Sequence, residues 1–86
     1  MNREAIENAV KDFLLLDLFA SKIVGTIGTD DSLFELGLID SMAVVKTVAF
    51  CEESFGVEIP DAELMPENFE TVRSIAAMVL RQRGRS

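Results

Sequence analysis

Apolar residues recur at spacings of three and four along the start of the chain, and this period predicts an α-helix over residues 3–19. The apolar face of the predicted helix consists of Ile6, Val10, Phe13, Leu14 and Leu18. Charged residues occupy other positions around the helix, namely Glu4, Glu7, Lys11 and Asp12. We expect the helix to end near Ala20 or Ser21.

A second helix is predicted over residues 41–55, where apolar side chains follow a four-three-four spacing. They are Val44, Val48, Cys51 and Phe55. Asp40 is a suitable N-cap because its carboxylate can accept from free N–H groups of the first turn. Gly56 suits the C-terminal cap, and residues 57–60 should be extended because Pro60 disfavours a helical conformation before it.

The remaining pattern predicts one helical turn at residues 66–69 and a final helix with Thr71 as its N-cap. The final helix carries an apolar face of Val72, Ile75, Ala76, Val79 and Leu80. Three arginines, Arg81, Arg83 and Arg85, lie at its C-terminal end, where the helix dipole favours positive charge.

Residues 22–39 show no sustained period and contain three glycines, so they are predicted to form a long loop. Loops of this length in small domains are often functional. Leu33, Leu36 and Leu38 are expected to fix the loop to the core, and residues 31–34 to form a short helical turn. The predicted fold is therefore a single all-α domain, residues 1–86: a small four-helix bundle with three longer helices, a short third helix and a long first loop.

Charge is distributed unevenly along this chain of net charge −7. Eleven acids and one base, Lys46, lie between Asp30 and Glu70, whereas residues 71–86 hold four arginines and no acid. The acidic middle argues against a nucleic-acid partner and favours partners with basic surfaces. Residues 13–20 are apolar but too short to span a membrane, so we expect a cytoplasmic protein. We also expect it to be a monomer.

The residue types present argue against an enzyme. The chain has no histidine, which excludes Ser-His or Cys-His nucleophile pairs and imidazole metal ligands. The single cysteine, Cys51, lies on the predicted core face, where inert burial is expected. Asp30 and Asp31 lack the spacing of a calcium loop, so no metal site is predicted, and their expected roles are solubility and capping.

Ser41 is the strongest candidate functional residue, because it follows the predicted N-cap and its hydroxyl should face water. A phosphate ester at this position would lie near the positive end of the helix dipole. Three blocks, Gly37–Met42, Phe55–Pro60 and Glu67–Val72, have the order and spacing of acyl and peptidyl carrier proteins, and the chain resembles that family. The resemblance implies that Ser41 carries 4′-phosphopantetheine and that Asp40 contributes to recognition by a phosphopantetheinyl transferase.

The resemblance also implies a function: the arm holds an acyl or aminoacyl group as a thioester and presents it to a loading enzyme and to downstream enzymes. The form Gly-Leu-Ile-Asp-Ser-Met, with Glu-Asn-Phe later, looks more like discrete carriers of amino acids or short acyl units than like fatty-acid carriers. The function expected from this resemblance is that of a discrete carrier in polyketide, nonribosomal-peptide or related secondary metabolism. A D-alanyl carrier for cell-wall esterification and an unmodified acidic adaptor remain alternatives. Candidate docking residues are Met42, Lys46, Glu52 and Glu53, although Met42 could equally be a core edge and the two glutamates a solvated helix face.

Overall fold

A computed structural model describes residues 2–15, 28–35, 37 and 40–84. Within these residues lie three α-helices, α1 (Arg3–Phe13), α2 (Ser41–Phe55) and α3 (Val72–Arg83). Two short 3₁₀ segments, Asp61–Glu63 and Pro66–Phe69, lie between α2 and α3. The prediction of an all-α fold is confirmed. The helical turn predicted at residues 66–69 is present as a 3₁₀ turn rather than an α-helix, and Asp61–Glu63 is a further 3₁₀ turn that was not predicted. That the whole chain forms one domain stays a prediction.

The segment Pro66–Phe69 is 3₁₀ for local reasons. The Asn68 N–H donates to the Met65 carbonyl at 3.0 Å, a bond to the third preceding residue that is typical of this tighter helix. Thr71 is extended (φ −137°, ψ 163°), so the segment cannot continue into α3. Thr71 instead caps α3, since its Oγ1 accepts from Ser74 N–H at 3.0 Å, as the sequence predicted.

Helix α1 begins at an N-cap that the sequence analysis did not single out: Asn2 Oδ1 accepts from Ala5 N–H at 2.8 Å. Ile6, Val10 and Leu14 are fully buried, which confirms the predicted apolar face in this part of the helix. Helix α1 packs against α3. Residues 16–27 lie outside the described residues, and with them Leu18 and the predicted end of the helix near Ala20 or Ser21.

The placement of Glu7 away from the core is wrong. Only 8% of this residue is exposed, and its Oε2 lies 3.5 Å from Arg3 Nε. Glu7 follows Ile6 directly and precedes Val10 by three positions, so its side chain lies along the flank of the buried face. Since an isolated buried charge is unfavourable, the one-turn ion pair with Arg3 partly offsets its desolvation.

The buried face of α2 differs from the predicted one in its first half. The fully or nearly fully buried side chains are Ala43, Thr47, Cys51 and Phe55, a strict four-residue spacing. Val44 and Val48 are only half-buried and pack at the edge of the core. Thr47 is accommodated because its hydroxyl donates to the Ala43 carbonyl at 2.7 Å, so no polar atom of the side chain is left unpaired.

Three aromatic rings connect the helices. The rings of Phe13 in α1 and Phe50 in α2 are stacked, with centroids 4.3 Å apart. Phe50 also meets Phe55 edge-on at 5.8 Å. Gly56 ends α2 in the left-handed region (φ 65°), as predicted for a C-terminal cap, and this conformation is one that glycine adopts without steric cost.

The described part of the long first loop is tied to the start of α3. Leu33 is fully buried, as predicted, and its N–H donates to the Glu70 carbonyl at 2.7 Å. The Arg73 guanidinium pairs with both carboxylate oxygens of Asp30, at 2.7 and 3.0 Å. Asp31 Oδ2 accepts from Gly28 N–H at 2.8 Å; this bond closes the turn at residues 28–31 and does not cap a helix, so the expected capping role stays a prediction.

Residues 33–35 of this loop form a turn, not a helix. The helical turn predicted at residues 31–34 is therefore absent. Leu36 and Leu38, expected to pack on the core, lie outside the described residues. So does Arg85. Within the part of the chain that the structure covers, no helix is both long and apolar enough to cross a bilayer.

Candidate attachment site at the start of α2

Asp40 caps α2 in the way that the sequence predicted. Its backbone is extended (φ −134°, ψ −174°), and its Oδ1 accepts from Ala43 N–H at 2.8 Å. The Asp40 carbonyl meanwhile accepts the first intrahelical bond, from Val44 N–H at 2.9 Å. This geometry fixes the first residue of the helix relative to the chain that precedes it.

Ser41 is that first residue, and its side chain is exposed. The N–H groups of a first helical turn have no intrahelical acceptors and confer partial positive charge on that end of the helix. No acidic residue lies within the first turn of α2 itself. A phosphodiester on Ser41 Oγ would therefore lie in solvent, close to favourable partial charges.

An open apolar cleft of about 550 Å³ adjoins Ser41. Its lining residues are Phe34, Asp40, Ser41, Val44, Leu64, Met65, Pro66 and Phe69. The walls come from three separate segments: the first loop, the start of α2 and the chain between α2 and α3. Phe69 is 1% exposed, so this wall of the cleft is part of the core.

The large apolar side chains that the described residues leave exposed are concentrated around Ser41. They are Phe34, Met42, Val45, Leu64 and Met65, with exposed fractions between 41% and 64%. Three of them line the cleft, and the other two lie in the first turns of α2. Large apolar side chains left exposed beside one residue mark a candidate contact surface for a ligand or partner.

The structure places the predicted docking residues on α2 as follows. Met42, Lys46 and Glu53 are exposed. Glu52 is half-buried, and its Oε2 accepts from Ile59 N–H at 3.0 Å, so this carboxylate also holds the segment that follows α2. The docking roles of the four residues stay predictions, as does attachment at Ser41 with recognition through Asp40.

Several residues of this region were missed by the sequence analysis. Phe34, Leu64 and Met65 line the cleft, but they lie in segments without a helical period, where no pattern distinguishes an exposed apolar residue from a buried one. Asn68 is 7% exposed and donates from Nδ2 to the Glu63 carbonyl at 2.7 Å. The block Glu67–Val72 gave a signal for Asn68, although not for its hydrogen bonds.

Cys51 lies on the core side of α2, as predicted, and is fully buried. Burial, with a smaller contribution from the neighbouring charge of Glu52, raises the pKa of the thiol to about 12. A thiol held in its neutral form is a poor nucleophile. Cys51 is therefore a packing residue.

In the described residues, an exposed serine at the start of α2 thus lies beside an open apolar cleft. The comparison with known families agrees: the chain belongs to the phosphopantetheine attachment site family, whose model matches residues 5–79. The prosthetic group of the family is 4′-phosphopantetheine. The chain is accordingly a carrier protein that presents a substrate and is not an enzyme.

Several curated relatives match most of the chain. The D-alanyl carrier protein of Lacticaseibacillus casei (strain BL23) is 42% identical over 79 residues, covering 92% of this chain and 95% of the relative. Aminoacyl carrier protein 2 of Bradyrhizobium diazoefficiens is 29% identical over 79 residues, covering 92% of this chain and 88% of the relative.

The solved structures include a crystal structure of Bradyrhizobium japonicum glycine:carrier protein ligase complexed with its cognate carrier protein and an analogue of glycyl adenylate. The matched chain is 29% identical, with a TM-score of 0.69, over 93% of this chain and 97% of that one. The resemblance to carrier proteins predicted from the sequence is therefore confirmed.

Proposed function

We propose that this protein carries an aminoacyl group as a thioester on a 4′-phosphopantetheine arm attached to Ser41. The observation that carries the attachment is the exposed Ser41 at the first position of α2, in a chain whose family is defined by such a site. The Asp40 carboxylate is engaged with Ala43 N–H, so it fixes the orientation in which a phosphopantetheinyl transferase meets Ser41.

The residues around Ser41 fit the arm. The phosphate would lie at the helix start, where partial positive charge is available. The apolar cleft of about 550 Å³ adjoins the same residue and opens to solvent, so it can accept part of a flexible arm without change to the core. What the arm supplies when attached is a terminal thiol that holds the cargo; the protein itself supplies position and exposure.

The cargo that we favour is a small amino acid. The named relatives are carriers of D-alanyl or aminoacyl groups, and the similar solved chain is bound to a glycine ligase. Within this class, D-alanine destined for cell-wall esterification is the second candidate, favoured by 42% identity to a D-alanyl carrier protein along nearly the whole chain. A role in polyketide or nonribosomal-peptide metabolism is compatible with an aminoacyl cargo and stays a prediction, whereas membership of the family argues against an unmodified adaptor.

Loading assays would identify the cargo. We expect the phosphopantetheinylated protein, given ATP and an adenylating ligase for glycine or for D-alanine, to gain one aminoacyl mass by intact mass spectrometry. Hydroxylamine should release that mass, since it cleaves thioesters. Loading with D-alanine alone would select the second candidate. Loading only by an acyltransferase from an acyl-coenzyme A would contradict the aminoacyl proposal.

We further propose that partners dock on the exposed face of α2, next to Ser41. Met42 and Val45 are each 64% exposed and supply apolar contact, while Lys46 and Glu53 supply charge. Partners expected at this face are the transferase, the loading enzyme and the downstream enzymes. Docking of this kind suits a monomeric shuttle in the cytoplasm, because peripheral charges speed encounter while a small contact area permits release.

Charge reversal at Glu53 tests this docking face. We expect Glu53→Lys to slow loading roughly tenfold at low ionic strength, through the association rate. The effect should shrink as salt is added, because exposed charges are screened over roughly 10 Å at 0.1 M. Glu52→Lys is a less clean test, since it also removes the hydrogen bond to Ile59 N–H.

Asp12→Lys, an equivalent reversal at an exposed position of α1, is the matched control and should leave the loading rate unchanged. Lys46→Glu should improve acceptance by enzymes that serve uniformly acidic carriers. Equal rates for wild type and Glu53→Lys at low salt would show that these charges only keep the protein soluble.

A further inference from the structure

One wall of the cleft beside Ser41 depends on a turn with little stability of its own. Leu64 has φ −81° and ψ 63°, the geometry of an inverse γ-turn, and Met65 N–H donates to the Glu63 carbonyl at 2.8 Å. Leu64 N–H donates to the Asp61 carbonyl and the Met65 carbonyl accepts from Asn68 N–H, both at 3.0 Å, but these few local bonds offset little of the entropy of fixing the segment. Contacts from elsewhere in the fold therefore have to hold this turn in place.

Side chains from the end of α3 and from Asn68 supply those contacts. Asn68 Nδ2 donates to the Glu63 carbonyl at 2.7 Å, so that carbonyl accepts two hydrogen bonds. Arg81 Nη2 donates to Asn68 Oδ1 at 3.1 Å and to Glu63 Oε1 at 3.2 Å. Gln82 Nε2 donates to the same Glu63 oxygen at 2.8 Å. These bonds link Glu63, Asn68 and Arg81 in a closed ring of hydrogen bonds, with Gln82 attached to it, and connect the turn to α3.

The ring is shielded on the side of its acceptors. Asn68 and Gln82 are 7% and 6% exposed and the Glu63 side chain is 19% exposed, whereas the Arg81 side chain is 48% exposed. Charge-assisted hydrogen bonds are stronger than neutral ones, and partial burial reduces their screening by water. None of these four residues lines the cleft. Leu64 and Met65, which lie between Glu63 and Asn68 in the sequence, do line it.

We propose that Glu63, Asn68 and Arg81 are positioning residues for recognition of Ser41. They lock the turn at Leu64, so that Leu64 and Met65 form a fixed apolar wall which the enzyme acting on Ser41 contacts. A fixed wall binds more tightly than a mobile one, because no side-chain or backbone entropy is lost on docking. This inference rests on the proposed attachment at Ser41.

Hydrogen exchange measured by NMR tests whether the ring holds the turn. Arg81→Ala should speed exchange of the Met65 amide about tenfold, as expected for loss of a charge-assisted hydrogen bond. Arg3→Ala is the matched control, since it removes an arginine of similar exposure that is paired with Glu7 on α1. Equal Met65 exchange in wild type and Arg81→Ala would overturn the proposed restraint.

Kinetics with coenzyme A and a broad-specificity phosphopantetheinyl transferase test the role in recognition. Arg81→Ala and Leu64→Ala should each raise the KM for the carrier several-fold and leave kcat unchanged. Because Arg81 acts through Leu64, the KM of the Arg81→Ala, Leu64→Ala double variant should be no higher than that of the weaker-binding single variant. If the two residues acted independently, their effects on KM would multiply. Arg81→Lys should recover part of the loss.

Additive effects, or an unchanged KM for Arg81→Ala while wild type is modified, would overturn the recognition role. A wild type that is never modified would instead refute attachment at Ser41 and the recognition role with it. The exchange experiment separates the two cases, since it needs no enzyme.

Discussion

Replacing Ser41 with alanine should abolish modification of the protein. Incubated with coenzyme A and a broad-specificity phosphopantetheinyl transferase, the wild type should gain one phosphopantetheine mass by intact mass spectrometry. Ser41→Ala lacks the hydroxyl oxygen on which the phosphodiester forms and should gain none. Helical content by circular dichroism should not change, because Ser41 is exposed and the N-cap bond from Ala43 N–H to Asp40 remains.

Ser54→Ala is the matched control for this experiment. Ser54 is also an exposed serine of α2, but it lies at the opposite end of the helix, away from the cleft. This variant should be modified as the wild type is. A mass gain in Ser41→Ala would move the attachment site to another residue, and an unmodified wild type would revive the adaptor as an interpretation.

Cys51 should be almost inert in the native protein. A pKa of about 12 in place of 9.0 lowers the thiolate fraction near neutral pH roughly a thousandfold. Full burial adds a steric barrier, so labelling has to await opening of the fold. A thiol reagent should therefore react slowly with native protein and rapidly after denaturation. Fast labelling of the native state would contradict the packing of α2.

The same thiol should make stability fall at alkaline pH. The unfolded chain loses the thiol proton near pH 9, whereas the folded chain holds it until about pH 12. Between these values the unfolded state binds fewer protons, so the free energy of unfolding decreases as pH rises. The loss should approach roughly 1.4 kcal/mol per pH unit in that window.

Cys51→Ala isolates this contribution to the pH profile. The variant should be less stable by about 1 kcal/mol at neutral pH, because a small buried side chain is lost. Its decline above pH 9 should be shallower than that of the wild type. Parallel profiles from denaturant titrations would show that the Cys51 proton is not linked to folding.

Helix boundaries were largely predictable because each is set by a local interaction. Asp40, Gly56 and Thr71 lie where the sequence placed them, since an N-cap needs only a side-chain oxygen two or three residues before a free N–H group, and a left-handed cap needs only glycine. The cap also predicted that Ser41 begins α2, but a serine at a helix start is ordinary, and only the resemblance of the three blocks to carrier proteins made it the candidate attachment residue.

Burial on α2 was harder to predict because polarity and packing disagree there. Thr47 is buried because its hydroxyl donates a hydrogen bond to the Ala43 carbonyl, which removes the usual cost of burying a polar group. Val45 is apolar but 64% exposed. A hydrophobic pattern assigns these residues the other way round, and only tertiary contacts decide between the two faces.

The cleft could not be derived from the sequence. Phe34 and Met65 lie on either side of α2 in the sequence, and both belong to segments without regular period. Their proximity depends on backbone contacts between distant parts of the chain, such as Leu33 N–H to the Glu70 carbonyl. The ring around Glu63 is equally non-local, because its donors Arg81 and Gln82 come from the last turn of α3.

The link between the first loop and α3 has a consequence for when Ser41 becomes recognisable. Asp30 and Arg73 are separated by 43 positions, and Arg73 N–H also donates to the Thr29 carbonyl at 3.0 Å. The loop wall and the wall at Leu64 and Met65 thus both depend on α3. If enzymes recognise Ser41 through this cleft as proposed, a peptide of residues 35–60 should be a poor substrate, and a growing chain should become one only after α3 has been synthesised and has packed.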